Sequence, residues 1–244
     1  MLNLIRADLY KSFHRMYLFI FMMVMAALSI FLNAVLATGG ASLESSLNLV
    51  ATNLFLYPLF LICMFADIVM AEENKEHTMK NTIAYGTTRT QLLMSKMVST
   101  VLVACSVAFV TICVYLACAF LLLHPERADL TPVLSDFFLR LGTTVLIYLA
   151  AAILATVLAG VLKRKALFTF AYFVALVLPA LMLKCLAYLN PVFVRIMNQT
   201  MLMQSQIVAV VPQNELIYCA VNALIHLVVF FILGLLVFRK QEIN

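Results

Sequence analysis

Apolar and polar positions are sorted into long blocks along this chain. Apolar residues fill Tyr17–Ala37, Leu49–Ala71, Met97–Leu123, Leu141–Leu162, Phe168–Leu189 and Ile217–Phe238 almost without interruption. A block of about 20 apolar residues predicts a helix that crosses a bilayer, because a helix satisfies every backbone polar group within its own segment. Asp67 lies close to the end of the second block, and Lys184 close to the end of the fifth. Pro58 and Pro179 fall inside those same two blocks and predict a kink in each. The expected fold is therefore all-α, a single polytopic membrane domain of six helices over residues 1–244.

The segments between the blocks have their own patterns. In residues 1–16, Leu2, Ile5, Leu9, Phe13 and Met16 recur at steps of three and four, with Arg6, Lys11 and Arg15 largely off that stripe. This predicts a short basic amphipathic helix in the membrane interface; a plain helical extension of the first span is the alternative. Gly39-Gly40 marks a turn, and Thr131-Pro132 marks a helix start. Residues 184–215 are too polar to span and too apolar for a solvated loop. They predict one or two short helices dipping into the outer leaflet, with Pro191 and Pro212 at the borders.

Composition agrees with this layout. The chain of 244 residues is 65% hydrophobic and only 11% charged, far from the roughly 45–50% and about 25% of soluble domains. That excludes a soluble enzyme, a disordered chain and a nucleic-acid-binding domain. Twelve of the 16 Lys and Arg residues fall on the side that holds both termini: Arg6, Lys11, Arg15, Lys75, Lys80, Arg89, Lys96, Lys163, Arg164, Lys165, Arg239 and Lys240. The positive-inside rule places that side in the cytoplasm. The six cysteines sit in or beside apolar blocks and read as small hydrophobes. Cys185 and Cys219 remain a possible disulfide pair.

Catalytic signatures are missing. There is no HExxH, no GxSxG, no P-loop and no zinc-type Cys/His spacing. His226 is the one histidine deep in a span, and it reads better as a helix–helix hydrogen-bonding residue than as a ligand. The spans lack the membrane-depth acids that ion-coupled carriers use.

The most distinctive segment is the loop from Asp67 to Lys96. Gly86 suits the C′ position that ends a helix, where φ is positive. Thr88-x-x-Gln91 is a capping box that starts the next helix, which can run unbroken into the third span. Before Gly86, Met79 and Ile83 form an i,i+4 apolar pair on a short surface helix. Acids (Asp67, Glu72, Glu73, Glu76) balance bases (Lys75, Lys80, Arg89, Lys96), as suits a docking surface for a soluble partner.

The run Glu72-Glu73…Thr78-Met-Lys80-Asn81-Thr-Ile-x-Tyr85-Gly86-x-x-Arg89…Lys96 resembles the first cytoplasmic loop of type-2 ABC exporter permeases. It is most similar to the small six-span permeases of lantibiotic immunity and bacitracin resistance. His77 stands where that family commonly has Gly. The opening Leu4-Ile-Arg-Ala-Asp-Leu-Tyr-Lys11 resembles the family's elbow helix. The resemblance implies a permease of the bacterial cell membrane that exports an amphiphilic peptide, lantibiotic or hydrophobic antibiotic. It is not itself an enzyme and binds no cofactor directly. ATP and Mg would sit on two copies of a partner ATPase, beneath a pair of permeases, identical or homologous. The coupling contacts implied are Glu72, Glu73, Lys75, Thr78, Lys80, Asn81, Tyr85, Gly86 and Arg89. A non-transporting immunity or sensor module and a secondary carrier are the competing readings.

Overall fold

The structure is a computed structural model that describes residues 1–54, 56–76, 86–125, 130–162 and 164–240. Its regular elements are all helical among those residues. They are α1 (Leu2–Phe13), α2 (Met16–Thr38), α3 (Leu43–Leu49), a π-helical segment (Val50–Leu54), α4 (Tyr57–Glu76), α5 (Arg89–Leu122), α6 (Thr131–Val161), α7 (Lys165–Ala187), α8 (Val192–Asn198), α9 (Met201–Val210), a 3₁₀ turn (Gln213–Glu215) and α10 (Leu216–Lys240). Five helices, α2, α5, α6, α7 and α10, are long and apolar enough to cross a membrane. A sixth crossing exists if α3 and α4, bent by 61°, count as one span.

That bend corrects the expectation of one helix over Leu49–Ala71. The crossing starts earlier, at Leu43, loosens through the π segment, and restarts at Tyr57. Pro58 therefore lies in the first turn of α4, where a missing N–H costs nothing, and does not kink a helix interior. Pro179 does lie within α7. The expected Thr131-Pro132 start holds, with Thr131 opening α6.

The chain turns from α2 into α3 through Gly40 at φ +68. Ala41 N–H donates to the Leu36 carbonyl and Gly40 N–H to that of Ala37, the pairing of a Schellman motif. A polar knot then fixes α3 against α2 and α5. Asn33, fully buried, donates to the Ser29 and Tyr115 carbonyls and accepts from Ser46, and the Tyr115 hydroxyl bonds Ser46. In a medium without water these polar groups must satisfy one another, so the knot specifies one packing.

The core is built around α6. Ala150, Ala151, Ala152, Ala155 and Ala159 are buried along it, packed with Leu59, Ile62, Ala66 and Met70 of α4 and Cys219 and Ala223 of α10. Apolar burial drives helices together weakly in lipid, where close van der Waals contact takes over, and small residues permit it. Gly234 shows how close α10 comes: a β-carbon there would stand 2.4 Å from Val157 Cγ2.

Both termini lie at one end of the bundle. Phe238 of α10 clusters with Leu93 and Met97 near the start of α5, and Asp8 of α1 reaches Lys96 in the same region. This end, called the basic end below, also carries Arg6, Lys11, Arg15, Arg164 and Lys165. At the opposite end, α8 and α9 are two short helices between residues 184 and 215, where one or two were expected. Met201 and Val208 of α9 are buried in the main core. Arg140 clamps this segment, with Nε 2.8 Å from Asp136 and Nη1 donating to the Val208 carbonyl at 2.6 Å. Gln213 donates to the other Asp136 oxygen.

Candidate functional site

At the basic end α4 is described as far as Glu76, and α5 begins at Arg89. Glu72, Glu73 and Lys75 lie in the last turns of α4. Thr78, Lys80, Asn81 and Tyr85, with the Met79/Ile83 pair, lie outside the described residues. Gly86 has φ +91, the left-handed region that favours glycine. The capping box forms as the sequence predicts: Gln91 N–H donates to Thr88 Oγ1 and Thr88 N–H to Gln91 Oε1, each at 3.3 Å. Arg89 is the first residue of α5.

The length of α5 matters. Its 34 residues span about 51 Å at 1.5 Å per residue, against about 30 Å for a bilayer's hydrocarbon core. Its apolar run begins only at Met97, so Arg89 to Lys96 form a rigid post of about 12 Å below the span.

Lys96 departs from expectation. The sequence counts it among the balanced charges of a docking loop, yet it is 2% exposed and its Nζ sits 2.7 Å from Asp8 Oδ1. Ser99 Oγ donates to the other carboxylate oxygen at 3.3 Å. The buried side of α1 is accordingly Asp8 and Ser12, flanked by the half-buried Ile5, Leu9 and Phe13, while Leu2 and Met16 stay exposed. The apolar stripe alone missed this. The available signal was Asp8 and Ser12 at i,i+4 on one face of the helix, matched by Ser95, Lys96, Ser99 and Thr100 at the base of α5.

Asp67, midway along α4, pairs with the exposed Lys165 that opens α7. Among the described residues His226 bonds within its own helix, its Nδ1 2.9 Å from the Asn222 carbonyl, where a bond between helices was expected. Cys185 and Cys219 are free thiols, one exposed and one buried, so the possible disulfide does not form.

The model of the family described as ABC-2 family transporter protein matches residues 4–178. The chain belongs to that family. The match takes in α1, the whole loop region and most of α7, 175 of 244 residues. As an ABC-2 protein the chain is a multi-pass membrane permease of an ABC transporter, and membership implies an ABC ATPase partner. No curated protein matches the chain.

Proposed function

We propose that this permease is the membrane subunit of an ATP-driven exporter of amphiphilic peptides, lantibiotics or hydrophobic antibiotics. Its basic end faces the cytoplasm of a bacterial cell, as the bias of Lys and Arg supports. Two ATPase subunits carrying ATP and Mg bind beneath a pair of permeases, identical or homologous. Glu72, Glu73, Lys75, Thr78, Lys80, Asn81, Tyr85, Gly86 and Arg89 make the docking surface. In this reading α1 is the elbow helix, and α8 and α9 cap the exit path.

The observation that carries the reading is the return from the loop into α5. A glycine at φ +91 and a closed capping box set the direction in which the loop leaves a rigid post. A return into α5 fixed in this way can pass force into the span, where a slack one would absorb it. ATP-driven closure of the ATPase would then shift the spans between two packings, since packed helices switch between discrete arrangements.

The test is co-expression with the ABC ATPase encoded beside it. A stable complex with vanadate-sensitive hydrolysis is expected, and Glu72→Ala or Arg89→Ala should weaken the permease's stimulation of hydrolysis. Wild-type stimulation in a chain lacking residues 78–85 would defeat the reading. Protection of cells against peptide antibiotics with an inactivated ATPase would instead favour a sequestering immunity module.

A further inference from the structure

We propose that the buried Asp8–Lys96 pair joins α1 to the base of α5, so that the two move as one lever when the loop is displaced. The proposal rests on the reading that this loop docks on an ATPase.

Three observations place the parts. First, the connection is dry and polar. Asp8 is 6% exposed and Lys96 2%, and Ser99 holds the second carboxylate oxygen. Sliding α1 along α5 would strip the Asp8 carboxylate of both Lys96 and Ser99 away from water, so the contact either stays whole or breaks completely. Second, nothing interrupts α5 between its capped start and Lys96, seven residues on. A displacement of Arg89 therefore reaches Lys96 through continuous helix. Third, α1 touches both helices that carry the loop. Leu9 and Phe13 pack on a cluster formed by Phe65, Ile68 and Val69 of α4, Val103 and Val107 of α5, and Leu18 of α2.

The joint on the far side of the lever is His14–Arg15. Helix α1 ends at Phe13, and Arg15 is extended at φ −86, ψ 121 before α2 begins at Met16. Hinges are commonly a few residues at helix ends that absorb a dihedral change. Movement of the loop would thus tilt α1 with α5 and be taken up where α1 meets α2. Asp8 and Lys96 are positioning residues in this scheme, because neither would touch cargo or nucleotide.

The experiment uses the full permease–ATPase complex in phosphatidylethanolamine/phosphatidylglycerol nanodiscs. The permease has its native cysteines replaced and carries Asp8→Cys, Lys96→Met and Ser99→Cys. A short bifunctional methanethiosulfonate bridges the two new thiols, and a reductant releases them. The lever predicts that before bridging, with the ion pair gone, permease-stimulated hydrolysis is about tenfold low, and that the bridge restores it to within about twofold of the wild type; wild-type hydrolysis before bridging, or no change on bridging, would overturn it. A fall of about tenfold or more that the reductant reverses would show that α1 and α5 must separate, and would overturn the proposal.

A second arm compares Asp8→Asn, Lys96→Met and the double variant. The lever predicts that each single change lowers kcat by about tenfold while KM for ATP and co-purification of the ATPase hold, and that the double, which also lacks the joint, stays as low. Wild-type kcat in both assembled single variants would overturn it. Should the single variants fail to fold, the bridging arm decides, because its background carries neither Asp8 nor Lys96. If the wild-type permease neither retains the ATPase nor stimulates it, the docking reading fails instead.

Discussion

Replacing Gly86 separates the geometry of the loop from its chemistry. At φ +91 any L-residue is strained, and among the described residues no atom lies within 4 Å of a β-carbon there. The cost is then backbone strain of about 1–3 kcal/mol. Alanine regains part of this by restricting the unfolded chain, about 0.4–1 kcal/mol. The net loss is about 1–2 kcal/mol, or roughly a 5- to 30-fold drop in the population of the native turn. Asparagine tolerates the left-handed region better and should lose less, while β-branched valine should lose most. The assay is permease-stimulated ATP hydrolysis by the purified complex, with circular dichroism to show that the helices persist. The expected order of activity is Gly, Asn, Ala, Val. Full stimulation by Gly86→Val would refute the argument that this turn directs the loop.

Other consequences follow from packing. Gly234→Ala should destabilise the detergent-purified permease by about 1–3 kcal/mol through overlap with Val157, and Val157→Ala should relieve much of that; melting curves of the two single variants and the double measure it. Arg140→Met removes the bonds to Asp136 and to the Val208 carbonyl, so amides of residues 201–213 should exchange with deuterium about tenfold faster or more. Under denaturing conditions without reductant all six cysteines should take up maleimide, and an uptake of only four would indicate a disulfide.

The apolar blocks located the long helices because block length is a direct demand of the bilayer. Helices α2, α5, α7 and α10 overlap their expected ranges almost throughout. The break in the second crossing was hidden because an apolar run looks the same whether it winds as α-helix or π-helix. What holds the crossing together there, the knot of Asn33, Ser46 and Tyr115, depends on residues from three helices and leaves no local pattern. Gly86 and the Thr88–Gln91 cap were readable because capping is a contact within four residues. The Asp8–Lys96 pair was not, since its partners are 88 positions apart. A charge count treats Lys96 as solvated, whereas the fold covers it with α1.

The central claim is that the segment between α4 and α5 is where an ABC ATPase binds. A photo-crosslinking residue in place of Lys80 or Asn81, in the co-expressed complex, tests it most directly, with Ser135 on α6 at the opposite end as the control position. The account predicts crosslinks to the ATPase from positions 80 and 81 and none from 135. Strong crosslinking from 135 with none from 80 or 81 would contradict it.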